Sequence, residues 1–268
     1  MKIYTYYEDI FEHQKVMLDL WEKSWSEHGF EPIILNESDA KKSELYEKFK
    51  NMAPEYSKKF MGSTTNQYGL SCWFRWLAYS TQKEEKFYVS DYDVINLNFI
   101  PIDPDDVLHF MNGANPCLAS GKPSQFHNFF KQIFEITEKH IEEFTKLFKE
   151  LDLKVFHDQD FLILYSIVEN FGRLNVGIKN NCKMTPINKN FISDPSIENF
   201  ELSPLVHFSH NGCGKLCRKY KVRSSKEIRT KIIECAVQII KNKQNMNGLY
   251  LLKEVAKSLL ANQNVIKK

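Results

Sequence analysis

Apolar and polar positions recur along this chain at two different periods, and the order in which those periods appear predicts alternating strands and helices. Lys2 to Tyr6 reads as a short strand, since β-branched and aromatic residues in a short run suit a pleated surface. His13 to His28 then places Val16, Met17, Leu20, Trp21 and Trp25 on one helical face, and Gly29 supplies the stop. Glu31 to Leu35 is the next strand, so the chain opens as the start of a parallel sheet with a right-handed crossover. Residues 40 to 67 are polar and irregular, helical in part, and are placed to cover a site. Tyr68 to Tyr79 returns to helical spacing through Leu70, Trp73 and Leu77; a polar break follows at Ser80 to Glu85, and Lys86 onward is an apolar strand. Val107 to Leu118 predicts another strand region and Ala119 to Gln125 a turn-rich loop. Phe129, Phe130, Ile133, Thr137, Ile141, Phe144 and Phe148 mark one long amphipathic helix. Arg223 to Leu260 holds two more, joined near Asn245 to Gly248, as a C-terminal appendage. Residues 1–222 therefore read as one α/β domain and residues 223–268 as its helical extension.

The strand from Lys86 runs straight into Asp91 and Asp93, a DxD. In an extended chain, carboxylates two apart aim the same way, with Tyr92 on the opposite face. Two hard oxygen ligands suit Mg2+ or Mn2+ carrying a diphosphate, because those ions prefer carboxylate, water and phosphate oxygens. Ligands of open α/β sheets lie beyond the strands' carboxyl ends, which sets Thr5, Tyr6 and Tyr7 beside the two aspartates, with Tyr6 or Tyr7 placed to stack on a base. Farther on, Leu205 and Val206 read as a strand end followed by His207 and His210. Gly212 and Gly214 would let the backbone approach a phosphate, and Lys215 adds a point charge. His207 follows the strand directly and is the better metal ligand; His210 is the alternative. A competing zinc reading joins His207, His210, Cys213 and Cys217. Those four ligands fall within eleven residues, whereas zinc motifs usually join two pairs across about a dozen.

Composition narrows the classes. Net charge is +2 from 36 basic and 34 acidic residues spread along the chain, which argues against a nucleic-acid protein built on phosphate contacts. Six irregularly spaced cysteines without a secretory signal read as reduced thiols in a cytoplasmic protein. No run of about 18 apolar residues offers a membrane span, so any membrane association is peripheral.

The order helix, turn, strand, DxD resembles the GT-A-type glycosyltransferases, in particular DxD-containing sugar transferases of the retaining galactosyl and mannosyl type. The resemblance implies a Rossmann-like, mixed but mainly parallel sheet flanked by helices. Arg75 matches the family's helix arginine, which contacts the donor; Asp91 and Asp93 match the DxD, the first near the ribose and sugar, the second on the metal. Cys72 stands where many relatives have an Asp, and Gln82 to Glu85 where many have a Gly-Gly turn. His157 to Leu164 resembles the family's Asp-Gln-Asp segment, which implies that Asp158, Gln159 and Asp160 face the transferred sugar, although Asp158 also suits an N-cap. Ser203 to Lys215 resembles the C-terminal strand whose His completes the metal shell and whose Gly-containing loop meets the diphosphate. The implied activity is Mn2+- or Mg2+-dependent sugar transfer from a UDP- or GDP-type donor to a glycan or other hydroxyl acceptor, which the Ala119 to Gln125 loop could face. Two alternatives remain at this stage. A nucleotidyl- or phosphotransferase lacks an early phosphate-gripping Gly-rich loop here. A catalytically silent, glycosyltransferase-like binding protein is kept open by Cys72.

Overall fold

A computed structural model describes residues 1–10, 14–104, 106–153, 156–170, 177, 181–197, 200–221, 226–241 and 250–255. Its elements run β1 (Lys2–Tyr6), α1 (Lys15–Ser26), β2 (Glu31–Leu35), α2 (Glu37–Ala40), α3 (Tyr46–Met61), α4 (Gln67–Ser80), β3 (Phe87–Ser90) and β4 (Val94–Asn96). They continue β5 (Leu108–Phe110), β6 (Leu118–Gly121), α5 (Pro123–Lys139), α6 (Ile141–Glu150) and α7 (Asp158–Asn170). The last are β7 (Cys182–Met184), β8 (Ile192–Ser193), β9 (Leu205–His207), α8 (His210–Lys219) and α9 (Lys226–Lys241). Residues 250–255 are also helical, and the predicted joint at 245–248 lies outside the described residues.

The chain divides into two compact units. The first comprises Met1–Ile10, Pro32–Asp91 and Ile102–Pro186. Its six-stranded sheet has the order β2-β1-β3-β6-β5-β7. β1 lies parallel to β3 and β5 to β7, while β6 is antiparallel to both its neighbours. It follows that β1, β3, β5 and β7 share one direction and β6 opposes them, the mixed, mainly parallel sheet that the sequence predicts. Helices α3 to α7 bury an aromatic core against one face of this sheet, with Trp73 set edge-on to Phe161 at 5.1 Å and Trp76 packed on Phe129 at 5.4 Å. Such ring pairs add directional preference to the burial that drives the packing.

Several local expectations are corrected within this unit. Residues 40 to 67 are not a polar cover: α3 buries Tyr46, Phe49, Ala53, Tyr56 and Phe60 in the core. Ala119 to Gln125 is no loop. It holds most of β6 and the first turn of α5, with Ala119 and Ser120 fully buried. The aromatic stripe from Phe129 to Phe148 belongs to two helices, because His140 leaves helical geometry at φ −120° and ψ 33°.

The second unit comprises Phe11–Glu31, Tyr92–Pro101 and Ile187–Lys268. Its small sheet has the order β4-β9-β8, with β4 antiparallel and β8 parallel to β9. α1 buries Met17, Leu18, Trp21 and Trp25, but Val16, predicted on that face, points to solvent at 39% exposure. Trp25 meets Phe30 edge-on at 4.9 Å and donates its indole N–H to the Val94 carbonyl at 3.0 Å, satisfying the polar atom that burial would otherwise strand. Gly29 takes φ +83°, a conformation that favours glycine just past the helix end. All six cysteines are free thiols. No helix among the described residues is long and apolar enough to cross a membrane.

Candidate functional site

The DxD does not lie in a strand. β3 ends at Ser90, and Tyr92 and Asp93 form a turn before β4 enters the other sheet, so the alternation argument for parallel carboxylates does not apply. Asp91 closes the first unit and Asp93 stands near the start of a segment of the second.

In the first unit, Arg75 from α4 bonds Asp91 through Nη1 and grips Asp158 Oδ2 through Nε at 2.9 Å and Nη2 at 2.6 Å. Trp76 Nε1 donates to the same Asp158 oxygen at 2.6 Å. The other oxygen, Oδ1, accepts from the Gln159 amide at 2.8 Å, so Asp158 serves the start of α7 as well as binding Arg75. Asp158 is 1% exposed and Arg75 is half-buried. Burial acts to lower the Arg75 guanidinium, but the two carboxylates outweigh it and hold the charge firmly in place. Gln159 and Asp160 are half-buried beside it. Burial raises the Asp160 carboxyl, opposed by His157 and reinforced by Asp158. At Cys72, on α4 with Arg75, burial pushes the thiol up, so it is no ready substitute for a carboxylate.

The parallel register Tyr4↔Val89 brings the carboxyl ends of β1 and β3 to one sheet edge. Thr5 is fully buried there, and its hydroxyl has no hydrogen-bond partner among the described residues. Tyr6 is buried with its hydroxyl on Glu8, whereas Tyr7 is half-buried and donates to Asp9 at 3.3 Å. Tyr7 is thus the more accessible ring of the two.

In the second unit, the β4–β9 ladder pairs Val94 with His207, and the Phe208 amide donates to the Asp93 carbonyl at 2.9 Å. That register sets His207 Nε2 3.3 Å from Asp93 Oδ1. The spacing is close to the roughly 3 Å expected of neighbouring oxygen and nitrogen ligands that each sit about 2.1 Å from one small cation. Asp93 is 8% exposed, and its Oδ1 makes no hydrogen bond to any described residue. A buried carboxylate oxygen beside an imidazole nitrogen is an ion pair when the ring is protonated and a donor set that fits a divalent cation when it is neutral. Burial acts to raise the Asp93 carboxyl, but His207 and Arg229 together outweigh it and keep it ionised far below the usual carboxylate range.

Arg229 is the residue that sequence reading missed. It comes from α9, 136 positions from Asp93, and is 3% exposed. Its Nη2 bonds Asp93 Oδ2, its Nε the Phe208 carbonyl at 2.8 Å, and its Nη1 His210 Nε2 at 2.9 Å. No motif announced it; the only signal was a charged residue on an otherwise amphipathic helix near Ile232 and Ile233.

The predicted glycine loop is instead the first turns of α8. Ser209 caps the helix by accepting from the Gly212 amide at 3.0 Å. A Cβ on Gly212 would come within 3.1 Å of Asp194 Cβ, so close packing, and not phosphate approach, accounts for that glycine. Gly214 meets only Arg218 at 3.5 Å, His210 is exposed, and so is Lys215. Cys213 and Cys217 are buried, burial pushes the Cys213 thiol up to about 12, and among the described residues they do not converge with His207 and His210 into a ligand set. The zinc reading is therefore set aside.

No protein-family model and no curated protein matches the chain. Among solved structures it is similar to the galactosyltransferase LgtC in complex with donor and acceptor sugar analogues, at 13% identity and a TM-score of 0.44 over 77% of this chain and 86% of that one. It is similar to the glycosyltransferase GlyE of Streptococcus pneumoniae TIGR4, at 14% identity and a TM-score of 0.45 over 96% of this chain and 64% of that one. A glycosyltransferase involved in glycosylation of the major capsid of PBCV-1 shares 12% identity, with a TM-score of 0.43 over 87% of this chain and 98% of that one. At TM-scores below 0.5 these likenesses assign no family.

Proposed function

We propose that this chain is a divalent-cation-dependent glycosyltransferase of GT-A type. In this reading it moves a sugar from a UDP- or GDP-type donor to a glycan or other hydroxyl acceptor, with retention at the anomeric carbon, in the cytoplasm. The observation that carries the reading is the buried Asp93–His207 pair at 3.3 Å. The sequence motifs assigned these two residues to one cation although 114 positions separate them in the chain. Asp93 and His207 are the proposed ligands, with Asp91 as the further carboxylate. Bound there, Mn2+ or Mg2+ would act as a Lewis acid on the departing diphosphate, an effect worth several kcal/mol of barrier.

The chain's own residues take the remaining roles. Thr5, Tyr6, Tyr7 and Tyr92 are assigned to the nucleoside, and His210, Gly214 and Lys215 to the diphosphate. Arg75 bridges Asp91 and Asp158, which keeps the carboxylates of the donor side at fixed separation. Asp158 has both oxygens engaged, so Gln159 and Asp160 are the groups with capacity left to face the sugar.

A panel of nucleotide sugars tested for Mn2+-dependent thermal stabilisation, followed by hydrolysis assays on those that bind, tests the proposal. The Asp93→Asn variant, which keeps an acceptor for Arg229, should keep its fold by circular dichroism and lose the Mn2+-dependent shift. Nucleotide binding that responds to Mn2+ equally in the variant and the wild type would overturn the assignment.

A further inference from the structure

Tyr68, in the first turn of α4, presents a large aromatic ring to solvent at 42% exposure. Single exposed apolar side chains are ordinary on a protein surface. The support beneath this one is not. Its neighbours on the helix, Gln67 and Ser71, both donate to Glu8 Oε2, at 2.6 and 2.9 Å, and Tyr6 holds the other oxygen, Oε1. Gly69 lies so close to the start of α7 that a Cβ there would stand 2.8 Å from the Phe156 carbonyl oxygen. The turn that carries Tyr68 is thus fixed to the residues after β1 on one side and to those just before Asp158 on the other. The Tyr68 side chain itself reaches the Cys72 thiol, one turn along α4.

Residues 68, 72 and 75 fall at i, i+4 and i+7, so Tyr68 and Cys72 share a helix face with Arg75, whose guanidinium holds Asp91 and Asp158. Seven residues of helix set Tyr68 about 10 Å from Arg75 along the axis. Arg75 and Asp91 belong to the donor in the functional reading above. A group resting on Tyr68 is therefore the next one out. An aromatic face carries negative charge and attracts weakly positive C–H edges, and a tyrosine has only two χ angles to order. A pyranose supplies the matching surface, with axial C–H bonds on one face and hydroxyls around its rim. A serine or threonine acceptor has no such face. Resting on that functional reading, we infer that Tyr68 is the acceptor platform and that the acceptor is a glycan whose terminal pyranose stacks on this ring.

Saturation-transfer NMR reads the acceptor directly, without turnover. With Mg2+ and saturating UDP or GDP, the protein should transfer saturation to at least one of the methyl β-pyranosides of glucose, galactose, N-acetylglucosamine and mannose, more strongly to the protons of one ring face than to those of the other. Tyr68→Ala should weaken that binding at least about fivefold, and Tyr68→Phe, which keeps the ring, should retain it. Nucleotide affinity should be equal in all three proteins, which also shows that the variants fold. No pyranoside signal from a wild type that binds nucleotide with Mg2+, or an undiminished signal from Tyr68→Ala, overturns the inference and leaves the proposed function standing. A loss in Tyr68→Ala confined to nucleotide sugars assigns the ring to the donor and likewise overturns it. A wild type that binds a pyranoside but no nucleotide with either Mg2+ or Mn2+ overturns the proposed function and, with it, the pyranoside's standing as an acceptor.

Discussion

Asp158 shows how far a single residue's role can be read from its neighbours. Placed by sequence as a sugar-facing carboxylate or an N-cap, it sits 1% exposed with three side-chain donors on one oxygen and a backbone amide on the other. Its removal should therefore be felt in stability first. Asp158→Ala leaves buried donors on Arg75 and Trp76 without an acceptor, and breaking such a pair costs on the order of 3–5 kcal/mol. Urea unfolding should show a loss of that size, and an unchanged midpoint would contradict the network. The sequence made Asp93 and His207 legible because each belongs to a local motif. Arg229 was opaque for the opposite reason: its function lies in where α9 docks, and a lone arginine on an amphipathic helix carries no pattern.

At the scale of elements, local periodicity located strands and helices well but misjudged what lay between them. The stripe from Phe129 to Phe148 keeps helical spacing across His140 because α5 and α6 both face the same aromatic core, and spacing alone does not register the break. The glycines after His207 suggested a loop, yet Ser209 caps a helix there. Two substitutions separate packing from ligand approach. Gly212→Ala forces a Cβ against Asp194 and Pro195 and should destabilise by about 1–3 kcal/mol. Gly214→Ala meets only the end of Arg218 and should stabilise α8 by up to about 1 kcal/mol. Thermal melts that move in the same direction for both would refute this account. In the turn before β3, Glu84 accepts from Lys2 at 2.6 Å and from Tyr4 at 2.5 Å. Burial acts to raise its carboxyl, but those bonds outweigh it and bring it from 4.5 down to about 2. A carboxyl depressed in the folded state adds stability that is complete above its unfolded value and fades as pH falls toward the folded one. The stability gap between wild type and Glu84→Gln should hold above pH 4.5 and close as pH approaches 2. A gap that is flat across that window would remove Glu84 from the acid response.

For the whole chain, the α/β class and the mainly parallel sheet were readable because strand and helix periods alternate in sequence order. The partition into two units was not, because each is assembled from three separate stretches of chain. The same fact bears on residues 223–268, which read in sequence as an extension of a domain complete at 222. α9 contributes Ile232, Ile233 and Ala236, all fully buried, and Arg229, which holds the carboxylate of Asp93. Burying an isoleucine side chain is worth about 1.5–3 kcal/mol, and stripping a buried charge of its partner costs about 3–5 kcal/mol. Those losses are comparable with the whole stability of an ordinary domain, ~5–15 kcal/mol. A chain ended at residue 222 should therefore lose cooperative unfolding in the second unit, bind a dye specific for exposed apolar surface, and show no Mn2+-dependent nucleotide binding. A 1–222 chain that unfolds at the full-length urea midpoint and still binds nucleotide with Mn2+ would make the C-terminal helices dispensable and take Arg229 out of the site.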